Sequence, residues 1–180
     1  MTEDVRLIEE FLQGSETAFN RLVNKYSKKV YYLALRLLCN HHDAEEASQE
    51  AFLKAYGSLK KLKEKKYFFT WLYRITYNVC MTQKTRVKYA DSLDLAAEVR
   101  DLRAGYHIER IEREELRGRV KALMEKLPKQ QKAVFIMRIY DGMKFEEIAG
   151  VTGLSTGGVK SNFFNAVQKI KSGVKDQYEL

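Results

Sequence analysis

At 180 residues the chain is long enough for one compact domain or two small ones, and its 32 Lys plus Arg outnumber its 24 Asp plus Glu to leave a net charge of +8, which favours a polyanionic partner. No apolar run approaches the ~18–20 residues of a membrane span, and the N-terminus, MTEDVRLIEEF, is acidic and amphipathic, unlike a signal peptide; a cytoplasmic protein without membrane insertion is expected. Cys39 and Cys80 lie far apart without a CxxC spacing, which argues against a disulfide framework or a zinc site and marks both as small buried hydrophobes.

No alternating strand pattern is present and Pro128 is the only proline, so an all-α fold is expected. The first strong helix runs from a Ser15 or Thr17 cap to Leu38, with Phe19, Leu22, Val23, Tyr26, Val30, Leu33 and Leu37 at helical spacing. Asp43 is the expected cap of the next, whose Ala44, Ala47, Ala51, Phe52 and Ala55 form an apolar stripe ending at Gly57. A basic loop, SLKKLKEKKY, leads into a third helix from about Phe68 to Arg86. Beyond Tyr89 the composition turns to acids and arginines with few large apolar groups, which suits a solvated linker. Apolar periodicity resumes at Leu116, Val120, Leu123, Met124 and Leu127, and Pro128 fits the first turn of a helix over 129–140 carrying Val134, Phe135 and Ile139. Two small helical domains, 1–90 and 116–180, joined by a linker at 91–115, are therefore expected.

The segment from Phe145 to Lys171 reads as a helix-turn-helix. Ile148 and Ala149 point inward, Gly153 supplies a residue that tolerates positive φ, Ser155 or Thr156 caps a second helix, and Val159 fills the angle between the two. That second helix places Val159, Phe163, Val167 and Ile170 on one face and the donor-rich Thr156, Lys160, Ser161, Asn162 and Asn165 on the other, where a DNA major groove would lie. Phe163 and Phe164 cannot both be buried on so narrow a stripe.

The region from Lys60 onward carries Lys60, Lys61, Lys63, Lys65, Lys66 and Arg74 against the single acid Glu64, a composition that binds phosphate with strong salt dependence. Interleaved aromatics offer faces for unpaired bases at ~1–3 kcal/mol each. Helical phase assigns Trp71 and Ile75 to the core and leaves Tyr67, Phe68, Tyr73 and Tyr77 as candidates for DNA contact. Earlier in the chain Glu46, Gln49 and Glu50 share one helix face. His41, His42, Asp43 and Glu46 are weighed as metal ligands and set aside, because adjacent histidines diverge and the carboxylates suit capping. An enzyme acting on nucleic acid with Asp43, Glu46 and Glu50 on Mg²⁺ is likewise set aside, since by helical phase these carboxylates face away from the basic aromatic segment and no nucleophile or histidine accompanies them. No catalytic residue, metal or cofactor is expected.

Asp43-Ala44-Glu45-Glu46-Ala47-Ser48-Gln49-Glu50-Ala51-Phe52 is similar to DAEDLxQExF, and Phe69-Thr70-Trp71-Leu72-Tyr73-Arg74-Ile75-Thr76-Tyr77-Asn78 to FRxWLxRIAxN. Leu127-Pro128, Val134-Phe135, Arg138, Gly142, Glu147-Ile148-Ala149, Gly153, Ser155 and Val159-Lys160-Ser161 follow a third pattern. In this order the motifs resemble regions two and four of the extracytoplasmic-function (ECF) class of bacterial RNA polymerase sigma factors, over residues 14–89 and 116–172. The resemblance implies a transcription initiation factor that binds core RNA polymerase and promoter DNA and makes no bonds. It implies that Asp43, Glu46, Gln49 and Glu50 dock the polymerase, and that the loop from Ser58 to Tyr67 receives a base extruded from the -10 element while Asn78 and the helix before it assist melting. It further implies that Thr156, Lys160, Ser161, Asn162 and Asn165 read the -35 element, and that an anti-sigma protein is a further partner. Thr82, Gly158 and Asn162 depart from the family pattern, so its promoter preference is not carried over. The rival reading is a stand-alone dimeric helix-turn-helix repressor or activator. With Leu180 close behind the second domain, no added sensory module is expected.

Overall fold

The computed structural model describes residues 2–83, 116 and 118–175, and among these every regular element is helical. Helix α1 (Glu3–Leu12) buries Leu7 and Ile8 against α2 (Glu16–Leu38), and its opposite edge is tied down by charge. Lys25 Nζ donates to Glu3 (2.8 Å) and Asp4 (2.7 Å), and the Tyr26 hydroxyl donates to the other oxygen of Asp4. Lys25 lowers the pKa of Glu3, chiefly by hydrogen bonding to it, while burial raises that of Tyr26. Ser15 is the N-cap of α2, but its hydroxyl pairs with that of Thr17 at 3.0 Å instead of with the backbone. The helix stops at Cys39, the one described non-glycine residue with positive φ (56°), whose N–H bonds the carbonyl of Leu35.

Helix α3 (His41–Ser58) is capped by Asn40, whose side chain accepts from the Asp43 N–H at 3.0 Å. This corrects the expected Asp43 cap: Asn40 has the extended backbone (φ −143°, ψ 130°) that a cap needs, and Asp43 falls three residues inside, where its carboxylate still complements the helix dipole. The alanine stripe is fully buried, which lets α3 lie close along α2. Two short 3₁₀ turns, Leu59–Lys61 and Lys65–Tyr67, then deliver the chain to α4 (Phe68–Thr82). One core of this half gathers Leu7, Ile8, Phe19, Leu22, Tyr26, Val30, Leu59, Phe68 and Leu72. A second packs Leu35, Leu38, Ala44, Ala47, Val79 and Cys80; Cys80 is buried as expected, and desolvation pushes its thiol up to about 12.

Beyond residues 84–115, which include the expected linker and lie outside those described, come α5 (118–125), α6 (Lys129–Ile139), α7 (Phe145–Thr152) and α8 (Thr156–Lys175). Pro128, at φ −53° and ψ 142°, is the N-cap of α6 and not a residue of its first turn. Glu147 reaches back to the Lys144 N–H (2.7 Å) to close the start of α7, Gly153 ends it at φ 75°, and the Ser155 hydroxyl accepts from the Gly158 N–H (3.1 Å) to start α8. Val159 is fully buried in the angle. The two halves share a core: Leu33 of α2 and Tyr73 and Tyr77 of α4 belong to one apolar cluster with Met124, Val134, Ile136, Met137, Ile148 and Val159.

Candidate nucleic-acid and polymerase interfaces

The basic loop is pinned at both ends by apolar burial, Leu59 at its start and Phe68 at its finish, so the residues between must bulge outward. Lys60, Lys61, Lys63, Lys66 and Tyr67 are exposed, Tyr67 at 57% of its surface. Lys66 stands 5.0 Å over the Tyr67 ring and 3.4 Å from Glu64. Lys65 differs from its neighbours: it is half-buried and pairs with Glu9 of α1 at 2.9 Å, so it anchors the loop instead of projecting. Arg74 and Asn78 continue the exposed line along α4. Lys61, Lys63 and Glu64 of the loop, with Tyr67, Trp71 and Arg74, border a cavity of about 560 Å³ that Glu146, Glu147 and Gly150 of α7 also line.

The structure corrects four of the aromatic assignments. Phe68, Tyr73 and Tyr77, expected to present faces to bases, are 1%, 0% and 7% exposed, while Trp71 and Ile75, expected in the core, are only half-buried. Phe68 packs on Tyr26 and Trp71, and Tyr73 lies 4.3 Å from Phe69 with its hydroxyl near the Lys29 carbonyl. Burial raises the pKa of both Tyr73 and Tyr77. Tyr67 is the expected stacking aromatic that remains accessible.

On α3, Glu46 and Gln49 are exposed, while Asp43 and Glu50 are half-buried, with Glu50 paired to Lys54 one turn on (2.6 Å). His42, Asp43 and Glu46 bring ligand atoms within 4.8 Å of one another, and His42 sits 3.5 Å from Glu46, whereas His41 turns away to the Tyr31 hydroxyl. Sequence reasoning missed Leu53: at seven residues beyond Glu46 it extends the same stripe and is 73% exposed, with the half-exposed Tyr56 beside it. The available signal was that Leu53 falls off the alanine stripe that faces α2.

In the helix-turn-helix, Lys160, Ser161 and Asn165 are exposed on the outer face of α8 and Thr156 is half-buried at its start. Asn162 is also half-buried, and its side-chain N–H bonds the Gly158 carbonyl (2.8 Å), so its amide is turned along the helix and not outward as expected. Phe163 packs between Phe135 and Phe145, leaving Phe164 62% exposed.

The halves meet through polar contacts as well. Arg36 of α2 reaches Asp141 at 3.5 Å, while its guanidinium covers the Tyr140 ring at 4.6 Å. The second oxygen of Asp141 is buried without a hydrogen-bond partner, and desolvation outweighs the attraction of Arg36 and raises the carboxyl to about 6. Lys132 donates to the Leu37 carbonyl (3.2 Å) and contacts Cys39 Sγ (3.1 Å). Among the described residues no helix is long and apolar enough to cross a membrane.

Comparison with known proteins places the chain in a family. The family model for Sigma-70 region 2 matches residues 22–88 and that for Sigma-70, region 4 matches 117–170. The chain is 31% identical over 182 residues to the RNA polymerase sigma-H factor of Pseudomonas aeruginosa, covering 96% of this chain and 94% of that one. It is 32% identical over 185 residues to the ECF RNA polymerase sigma-E factor of Escherichia coli (strain K12), covering 97% and 95%. Among solved structures, CnrH in complex with the cytosolic domain of CnrY superposes with a TM-score of 0.73 at 22% identity over 97% of this chain and 99% of that one. The sigma factor RpoE in complex with the anti-sigma factor NepR, from Bartonella quintana, gives 0.64 at 17% identity over 87% and 96%. With both regions matched in order and the full-length relatives above 30% identity, the chain belongs to the ECF group of the sigma-70 family of RNA polymerase sigma factors.

Proposed function

We propose that this sigma factor acts in the cytoplasm as a transcription initiation factor, docking on core RNA polymerase through α3, reading a -35 duplex with α8 and opening a -10 element at the basic loop. The observation that carries the reading is the separation of three chemically distinct exposed surfaces on one chain: a carboxylate and amide stripe, a lysine loop with one accessible tyrosine, and a donor-rich helix face. At the polymerase surface, Glu46 and Gln49 supply polar contacts and Leu53 the apolar anchor that a stable interface requires. At the duplex, Lys160 contributes charge to phosphate, and Asn165 has the amide able to pair with an adenine edge. At the loop, Lys61, Lys63 and Arg74 hold the strand backbone while Tyr67 stacks on an extruded base.

Residues 91–115 serve as the tether between domains 1–90 and 116–180. An anti-sigma protein is a further expected partner; the solved CnrH and RpoE structures were both determined with a bound partner, that of RpoE being an anti-sigma factor. Purified chain, core polymerase and a library of promoter fragments test the whole reading. Polymerase-dependent initiation at fragments sharing a -35 and a -10 sequence is the expected result; duplex binding without polymerase and no initiation with it would transfer the chain to the dimeric repressor class.

A further inference from the structure

One thiol of this chain is shut away, and the other stands at the seam between the halves. Cys80 is 2% exposed among apolar side chains and its thiol is pushed up to about 12, so it keeps its proton and is closed to solutes. Cys39 is half-buried at the end of α2, and an amine from the other half lies against it: Lys132 Nζ of α6 is 3.1 Å from Cys39 Sγ. We propose that Cys39 and Lys132 form a modification site, at which hydrogen peroxide joins sulfur to nitrogen in a reversible sulfenamide that ties α2 to α6.

The backbone and the neighbours both prepare the pair. Cys39 holds the left-handed position (φ 56°) that closes α2, a place helices ordinarily give to glycine or asparagine. There its S–H is directed at the Arg36 carbonyl (3.7 Å), while the sulfur accepts from Lys132. A second bond, to the Leu37 carbonyl (3.2 Å), steadies the lysine on one of the acceptors that a helix end leaves over. That bond accounts for a lysine at this helix end, but it does not call for a cysteine in the glycine position. Among the described residues no carboxylate pairs with Lys132, so surrendering a proton breaks no ion pair. A partly exposed sulfur with a cationic nitrogen against it is the setting in which reactive cysteines are found.

The chemistry runs in two stages. In the first, the Cys39 thiolate attacks one oxygen of hydrogen peroxide; the O–O bond breaks, the other oxygen leaves as hydroxide and becomes water, and the sulfur is oxidised to a sulfenic acid. In the second, the Lys132 amine, its extra proton given to solvent, attacks that sulfur. The S–O bond breaks, the hydroxyl departs as water with a proton from the nitrogen, and no further electrons change hands. Thiol, amine and peroxide thus become one sulfenamide and two waters. Sulfenic acids condense with backbone nitrogen in the same way, and a nitrogen at 3.1 Å already stands within the ~3–3.5 Å from which such an attack proceeds. A dithiol reductant reverses the link by cleaving the S–N bond, restoring thiol and amine and becoming a disulfide. Until then the two halves are covalently one body.

Peptide mass spectrometry tests the site on the native chain. The reduced protein is treated with hydrogen peroxide, blocked at its remaining thiols and digested, and a parallel sample contains dimedone, which captures sulfenic acid. The expected product is the Cys39 peptide joined to the Lys132 peptide, two hydrogens lighter than the separate pair and resolved into them by dithiothreitol. In Lys132→Arg, which keeps a cation for the Leu37 carbonyl but lacks the condensing amine, the link should vanish and dimedone capture at Cys39 should rise. A native chain whose Cys39 stays a thiol, ends in a disulfide, or takes up dimedone to the same extent as the arginine chain overturns the site. The linked peptide is read on the native protein, so poor folding of the arginine chain does not remove the test. Neither polymerase nor DNA takes part, and failure here leaves the sigma role as it stands.

Discussion

Asp141 shows how one residue sets the cost of the seam. Its pKa is raised from 3.8 to about 6 by burial, against the opposing charges of Arg36 and Lys29 and with the Tyr73 hydroxyl among its neighbours. A raised folded-state pKa means the neutral acid is preferred in the folded chain, so this contribution to stability is fully present below the unfolded pKa near 4 and is lost as pH rises through 6. The loss amounts to at most about 3 kcal/mol by the 1.36 kcal/mol carried by each pKa unit. In the D141N chain that dependence should vanish: its melting temperature relative to the native chain should rise between pH 4 and pH 7.5, and parallel profiles would exclude Asp141 as the source. Lys160 invites a simpler measurement. Exposed on α8 and without structural partners to lose, it should affect DNA alone, so Lys160→Ala is expected to weaken duplex binding and reduce the slope of log K against log salt by about 0.9, the share of one phosphate contact. An unchanged slope would remove it from the interface.

At the scale of elements, α4 and α3 make opposite demands on their exposed faces. Tyr73 is fully buried, and cutting it to alanine should cost about 3–5 kcal/mol of stability in denaturant unfolding. Tyr67→Ala, by contrast, should leave stability within about 0.5 kcal/mol and slow promoter opening more than closed-complex binding; equal effects on both steps would make Tyr67 structural. On α3, Leu53→Lys should reduce co-purification with core polymerase without lowering the melting temperature, because the residue is largely exposed in the free chain. Full retention would move the docking surface elsewhere. The same pair of helices shows what was legible in the sequence and why. On α3 the alanine stripe and the polar stripe were readable because one face only is covered, so periodicity translates directly into burial. On α4 the helix is covered twice, by α2 and α3 of its own half and by α7 of the other, and Phe68, Phe69, Trp71, Leu72, Tyr73, Ile75 and Tyr77 place large groups nearly all round. No single stripe then exists, and the phase argument put Trp71 inside and Tyr73 outside. The Asn40 cap was missed for a local reason: two capping residue types stand three apart, and only the backbone angles tell them apart.

At the scale of the molecule, the helix-turn-helix and the order of the two regions were readable because each is a local pattern with fixed spacing, from Gly153 through Ser155 to Val159. The seam between the halves was not. Arg36 and Asp141, or Lys132 and the end of α2, carry no mark in the sequence that they meet, since charged residues of these kinds are ordinarily solvated. The shared core of Leu33, Tyr73 and Tyr77 with the second half is likewise invisible to periodicity, which reports that a face is covered and not by what.

Trp71 lies on the cavity border, half-buried, and it is the only tryptophan in the chain. That gives the protein a built-in optical gauge. The indole lines the cavity together with Glu146 and Glu147, and its emission energy follows the polarity and charge around it. Replaced biosynthetically by 5-hydroxytryptophan, which is excited to the red of ordinary tryptophan, it can be watched in the presence of unlabelled core polymerase. A spectral shift on adding polymerase, before any DNA, would show that the surroundings of this cavity change when the polymerase binds. An emission that changes only when promoter is added would put that change after DNA engagement, so one native side chain orders the events of start-up without a second label.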